Sequence, residues 1–377
     1  MIIGIDGNEA NISERVGVNE YPFQILQNLA KLQEKGECGH SLIVYLKEKP
    51  LPDLPKETQN FKYKIIPGGG LWIITKLMPD LFLGKPKPDI FFSPSHYVPV
   101  FAPMPRACSI MDLGYLKFSG QFRKKDFWQL KIWSAISILL SKRIFAISNS
   151  TKEDIVRHYS FARDKISVTH LGYDPGRFNI NISEKDVRRI KKTYSIVDDY
   201  VLYLGTLKPS KNIETLIEAF GQLTPRYPKI RLIIAGKKGW MYKSIYKKVE
   251  KSGLTAKVTF TDFVPEEDKP ALIKGARVFV LPSYWEGFGL DAVNAMATGV
   301  PVVASNAGSL PEVIGEAGVV VDPKNADSMA AGIESVLSAD SIAYNEMAKR
   351  GLMQSNKFSW EKCARETLRI LESGRIK

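Results

Sequence analysis

VFVLPSYWEGFGLDAVNAMATGVPVVA, residues 278–304, changes character at each of its landmarks. The apolar run VFVLP stops at Pro282. A loop follows, with one carboxylate, Glu286, beside the glycines at 287 and 289. A helical pattern starts near Asp291, and PVVA opens a second apolar run at Pro301. Strands of a parallel sheet are buried on both faces, so they read as continuous apolar runs, and strand–loop–helix–strand is the βαβ unit. The chain is therefore expected to be α/β, with doubly wound parallel sheets.

The same alternation extends in both directions. Upstream the reading places strands at 2–5, 41–46, 90–92, 107–110 and 143–147, with helices near 18–34, 71–80, 123–141 and 151–159. A polar, lysine-rich stretch, SEKDVRRIKKTYSIVDD, then separates this series from a second one. The second has strands at 200–204, 231–235, 257–260, 278–282, 301–304 and 319–321, with helices at 212–223, 242–252, 266–275 and 291–298. Two Rossmann-like domains are expected, over residues 1–197 and 198–357. Trp360, Cys363, Leu368 and Leu371 are spaced for a final helix, about 358–377, that packs back on the first domain.

Length and composition agree with two domains, since 377 residues with 44% apolar and 25% charged side chains support two ordinary cores. MIIGID looks like a strand and lacks a basic leader, and no apolar run reaches the roughly 18 to 20 residues of a spanning helix. A cytoplasmic chain is expected. Cys38, Cys108 and Cys363 lie far apart without C-x-x-C spacing, which argues for reduced structural thiols rather than disulfides or zinc.

The net charge of +13 suits nucleic acid, anionic headgroups or a phosphate-bearing substrate. No nucleic-acid-reading motif accompanies it, and aromatic side chains are not interleaved with the basic ones on a platform, so nucleic acid is not an expected partner. Basic residues near 117–131, in and before QFRKKDFWQLKIW, suit peripheral contact with the inner face of a membrane. For residues 128–140 the favoured reading is a buried domain helix, because the apolar side chains surround its axis.

In open parallel sheets ligands sit beyond the carboxyl ends of strands, so chemistry is sought in post-strand loops. Glycines 287 and 289 let backbone N–H groups approach a ligand, and the helix start beyond them favours an anion. A carboxylate there makes sense if Glu286 addresses the neutral, hydroxyl-rich part of a ligand whose other part is anionic. A phosphorylated sugar has both parts. GTLKPSKN, 205–212, also leaves a strand and opens a helix; it places Lys211 in a first turn, where a cation is disfavoured unless it shares an anion with the peptide dipoles.

With these stretches, and with RVGVNEY, PDIFFSPSHY, SIMDL, AISNSTKEDI, LIIAGKKGW, VTFTDFVPEEDKPALI and SLPEVIGEAGVVVDP, the chain resembles the retaining glycosyltransferases of family 4, in the subgroup with G-T-x-x-P-x-K-N. The resemblance covers nearly the full length. It implies the GT-B fold, two Rossmann-like domains facing across a cleft, and transfer of a hexose from a nucleoside diphosphate sugar with retained configuration and no required metal or other cofactor. It implies that Lys211 contacts the donor phosphates and Glu286 the sugar; these two are the expected catalytic residues. Gly287, Phe288, Gly289 and Leu290 surround sugar and phosphate, and Gly17 admits the diphosphate to the first domain. Gly236, Lys237, Asp262, Phe263 and Val264 stand where the base is held.

Three positions depart from the family pattern. Thr206 replaces a frequent arginine. Asn294 replaces a glutamate that accepts ribose hydroxyls, and its carbonyl oxygen retains that capacity without charge assistance. Met111 precedes Asp112 where many relatives have histidine, and His96 is the expected substitute on the acceptor side. The implied partners are the nucleotide sugar and a glycan or lipid-linked acceptor, in cell-surface polysaccharide synthesis, with mannose the favoured sugar. The rival readings are a catalytically weak sugar-nucleotide-binding protein and a GT-B epimerase or phosphorylase.

Overall fold

The computed structural model describes every residue except Val16, Ser119, Gln121, Phe122 and 375–377. The chain divides into two compact units. Met1–Gly172 joins Ser359–Lys377 in the first, and Tyr173–Phe358 forms the second.

The first unit holds a seven-stranded parallel sheet of β1 (Ile2–Asp6), β2 (Ser41–Leu46), β3 (Phe61–Ile65), β4 (Ile90–Ser93), β5 (Arg106–Ile110), β6 (Arg143–Ala146) and β7 (Ile166–Val168), in the order 3-2-1-4-5-6-7. Helix Gly17–Glu34 buries Tyr21, Ile25, Leu29 and Leu32, an i, i+4 stripe. Helix Trp360–Ser373 is capped by Ser359, whose hydroxyl accepts from the Lys362 amide, and it buries Trp360, Cys363, Ala364, Thr367, Leu368 and Leu371. It is held in this unit by Lys35 with Glu361 at 2.9 Å, by His40 with Glu372 at 2.7 Å, and by the Tyr21 and Trp360 rings, 6.4 Å apart. Gly172 lies so close to its start that a Cβ there would meet the Trp360 nitrogen at 2.0 Å.

The second unit holds a six-stranded parallel sheet of β8 (Tyr200–Leu204), β9 (Arg231–Ala235), β10 (Val258–Asp262), β11 (Val278–Leu281), β12 (Val302–Ser305) and β13 (Val319–Val321), in the order 10-9-8-11-12-13. Its core is filled from one side by Leu216, Ile217, Phe220 and Leu223 of helix Ile213–Leu223, packed with Met329, Ile333 and Val336 of helix Ala326–Leu337. In both sheets the chain reverses direction of winding after three strands, between β1 and β4 and between β8 and β11. Such switch points open a crevice at the strands' carboxyl ends.

The second unit begins earlier than residue 198. The lysine-rich stretch expected to mark the boundary folds as helix Glu184–Thr193, capped by Ser183, with Val187 and Ile190 buried. It is fastened to that unit by Arg189 to Asp268 at 3.1 Å and Tyr194 Oη to Asp268 at 3.1 Å. Helix Lys124–Leu140 also departs from the expectation of a buried helix. Ser134, Ser137 and Ile138 are buried, whereas Trp128, Ile132 and Leu139 are all more than half exposed. Residues 121 and 122 of the basic run lie outside the described residues. The three cysteines are free and buried, and no described helix is long and apolar enough to cross a membrane.

Candidate functional site

The switch point of the second unit is bounded by the loops after β8 and β11, and these carry Lys211 and Glu286. Lys211 does not lie in a helical first turn as expected. Pro209–Lys211 is a separate 3₁₀ turn, Asn212 has φ +55°, and the helix begins at Ile213. Released from the helix, the Lys211 ammonium lies 2.5 Å from Glu286 Oε1. Both side chains are largely buried, at 19% and 13% exposure, so their charges interact through a less polar medium than water.

Asn212 fixes this geometry. It is 3% exposed, and its Nδ2 donates to the Pro282 carbonyl at 2.9 Å and to the Pro323 carbonyl at 2.6 Å. The left-handed conformation is tolerated better by asparagine than by most side chains, and the Thr215 hydroxyl donates to its Oδ1 at 2.6 Å. Tyr284 N donates to the Ser210 carbonyl at 3.0 Å, a second tie between the loops.

Glu286 is held from three further directions. Ser283 Oγ donates to Oε1 at 2.6 Å, while Ser309 donates to the Glu286 carbonyl from both its amide and its hydroxyl, each at 3.1 Å. Gly308, with φ +61°, lies against this backbone, and a Cβ there would meet the Glu286 carbonyl oxygen at 2.4 Å. Beneath the loops the buried Tyr203 phenol is pushed far up, first by burial and then by the negative charges of Glu286 and Asp291. Burial also raises the Asp291 carboxyl, opposed by Lys269.

Gly287 and Phe288 are buried, and the Phe288 ring packs edge-on to Phe358 at 5.4 Å. Gly289, φ +94°, precedes helix Leu290–Ala297. Asn294 is 5% exposed; its Nδ2 reaches Asp291 Oδ1 only at 3.5 Å, and its Oδ1 is buried without a hydrogen-bond partner. Thr206 stands at the mouth of β8, where its carbonyl accepts from Tyr203 Oη at 3.4 Å.

The residues expected to hold a base gather at the ends of β9 and β10. Gly236 N donates to the Asp262 carbonyl at 2.8 Å, and Leu207 N to the Lys237 carbonyl at 2.9 Å. The cation facing Asp262 is Lys238, at 2.9 Å, which the sequence reading did not name. Phe263 is 41% exposed, whereas Val264 is 1% exposed, so its side chain belongs to the core.

The other expected residues belong to the first unit. Gly17 is exposed at the start of its helix, with open space around it. Asp112 Oδ1 accepts from the Gly114 amide at 2.7 Å, and the Met111 carbonyl accepts from Thr151 Oγ1 at 3.2 Å, so both have local structural bonds. His96 packs against Tyr97 with ring centroids 4.1 Å apart and the planes tilted by 41°, and its Nε2 is buried without a partner. Burial holds its pKa down at about 4.

Sequence reasoning missed Asn212, Ser283, Gly308 and Ser309. The signal was present as an asparagine directly after Lys211 and a Gly-Ser pair after β12, but Asn212 and Ser309 work on main-chain carbonyls, and Ser283 is a neutral hydroxyl set on the Glu286 carboxylate. Among the described residues no cluster of three His, Cys, Asp or Glu side chains is placed to hold a metal.

The fold is that of the GT-B class, α/β with two parallel-sheet, Rossmann-like domains. Sucrose-phosphate synthase from Thermosynechococcus elongatus superposes with a TM-score of 0.77 at 20% identity, over 99% of this chain and 98% of that one. Anabaena HepE, solved with UDP and glucose, superposes with a TM-score of 0.75 at 18% identity, over 99% of each chain. Residues 186–353 match the family described as Glycosyl transferases group 1. The O-antigen chain mannosyltransferase B of Escherichia coli is 38% identical over 232 residues, 60% of this chain and 60% of that protein. The chain thus spans about three fifths of the length of this curated relative.

Proposed function

We propose that this chain is a retaining hexosyltransferase that moves a sugar, with mannose favoured, from a nucleoside diphosphate donor to a glycan or lipid-linked acceptor in surface polysaccharide synthesis. The observation that carries the reading is the meeting of Lys211 and Glu286 at the switch point of the second sheet. In the absence of donor the two neutralise each other. A bound donor supplies each with a partner: the diphosphate takes the ammonium, and the hexose hydroxyls take the carboxylate.

Glycosyl transfer passes through an oxocarbenium-like state while negative charge grows on the departing diphosphate. A fixed ammonium stabilises that charge at the place where it develops. The acceptor hydroxyl attacks on the face from which the diphosphate leaves, and the leaving phosphate oxygen takes its proton, so no side chain serves as a strong base. Asn294 Oδ1, unmatched in the interior, suits a ribose hydroxyl. The relative named above as a mannosyltransferase supports the choice of sugar. The first unit is assigned the acceptor, with His96, Met111 and Asp112 on that side. The basic helix Lys124–Leu140, with Trp128, Ile132 and Leu139 outward, is assigned peripheral contact with anionic lipid.

The test is a donor screen: GDP-mannose and common UDP-, dTDP- and ADP-sugars, with and without EDTA, read by nucleotide release and by the anomeric signal of the product. The expected result is release from one donor class, unaffected by EDTA, with retained configuration. No release, together with no thermal stabilisation by UDP, GDP, dTDP or ADP, would overturn the proposal. Stabilisation without turnover would favour the second reading, a sugar-nucleotide-binding protein, for which Thr206, Met111 and Asn294 are the motivating departures.

A further inference from the structure

We propose that Ser283 is a positioning residue that keeps Glu286 in place when Lys211 leaves it; the inference rests on the function proposed above. Glu286 Oε1 accepts from two donors, Lys211 Nζ at 2.5 Å and Ser283 Oγ at 2.6 Å. They differ in what a donor nucleotide does to them. A diphosphate competes for the ammonium, because charge-assisted contacts to phosphate are strong. It does not compete for a neutral hydroxyl that is fully buried behind the carboxylate; Ser283 is 0% exposed.

The hydroxyl is also presented from a fixed point. Ser283 follows β11 and Pro282, and its carbonyl accepts from Ser305 Oγ at 2.6 Å. Ser305 ends β12 and is itself 0% exposed. The main chain of Glu286 is anchored by Ser309. Of the two contacts on the carboxylate, one is therefore exchangeable and one is built in. Once Lys211 has turned to the diphosphate, Ser283 alone among these donors defines where Oε1 stays, and the other oxygen faces the hexose. Without it the terminal torsion of glutamate, which is soft, lets the carboxylate follow the ammonium.

This divides the labour of the site. Lys211 governs the diphosphate, and the Ser283–Glu286 pair orients the hexose. Ser283→Ala removes one oxygen and adds no volume, so packing is preserved. The experiment uses the full chain as wild type, Ser283→Ala and Ser283→Thr, with the nucleotide sugar found in the donor screen. It measures kcat, KM, affinity for the free nucleoside diphosphate by calorimetry, and Tm. Expected for Ser283→Ala is a kcat lower by about 10- to 100-fold, the range of one hydrogen bond to a charged group, with diphosphate affinity within about twofold of wild type. Ser283→Thr restores most of the rate.

An alanine variant with unchanged kcat overturns the inference alone. So does one that loses diphosphate affinity and Tm in step with rate, because that is the signature of a merely structural serine. A wild-type chain that turns over no donor overturns the proposed function, and this inference with it.

Discussion

Lys211 Nζ and Glu286 Oε1 lie 2.5 Å apart on loops that leave adjacent central strands, β8 and β11. The two charges compensate each other, and on the function proposed above a bound donor would part them. Removing one member therefore has two separable consequences. Lys211→Met should lower transfer by about 10²- to 10³-fold, the loss seen when one donor to developing charge is removed. It should also lower stability by about 1–3 kcal/mol, since a largely buried carboxylate keeps only its hydroxyl partner. Adding Glu286→Gln should return most of the stability and none of the activity. A denaturation cycle over the four proteins, run beside the transfer assay, checks both; additive stability losses would contradict the pairing.

Asn212 should matter to the fold as much as Lys211 matters to the reaction. Asn212→Ala leaves the Pro282 and Pro323 carbonyls without their donor and places alanine at φ +55°, at a cost of about 2–4 kcal/mol. Asn212→Gly relieves the backbone and not the lost bonds, so it should fall between alanine and wild type. Urea midpoints at constant m-value would order the three.

Gly308→Ala tests the support of Glu286 from the other side. Its φ of +61° penalises alanine by about 1–2 kcal/mol, and the added methyl would press on the Glu286 carbonyl oxygen. Activity should fall more than stability, because the displaced residue is the one assigned to the sugar. Equal transfer rates at matched folded fractions would contradict this.

His96 should make the first unit sensitive to acid. Burial lowers its pKa from 6.5 to about 4, so between these values the unfolded chain binds the proton and the folded chain does not. Stability then rises with pH across this window. The contribution is complete above about pH 6.5 and is lost progressively as pH falls toward 4, up to about 3 kcal/mol for one group. His96→Gln should flatten that part of the curve. The check is a difference between wild-type and variant denaturation series at several pH values.

The central strands were readable because burial on both faces leaves an unbroken apolar run, as in YVLYL and VFVLP. The two strands that escaped notice, β3 and β7, are sheet edges. FKYKI needs only one strand neighbour and leaves Lys62 exposed, and ISV is three residues long. Helix Glu184–Thr193 reads only as a polar stretch before the boundary because just Val187 and Ile190 are buried on it. Within the site, Lys211 and Glu286 stood out as charges in glycine-bearing loops after strands. Asn212 and Ser309 did not, because they act on backbone carbonyls distant in sequence, and Ser283 did not, because a neutral serine three residues before Glu286 carries no signal of its own. Val264 differs from its neighbour Phe263 in that its side chain belongs to the core, which a motif alone does not reveal.

The last helix, Trp360–Ser373, completes a unit that began at Met1. During synthesis residues 173–358 leave the ribosome as one contiguous stretch, while the N-terminal sheet must wait for a segment made after all of them. Until that segment arrives the Tyr21 ring lacks its Trp360 neighbour and nothing packs on the backbone at Gly172. A chain interrupted near residue 358 would thus keep its second unit whole and fail in its first, the reverse of what the position of the break suggests.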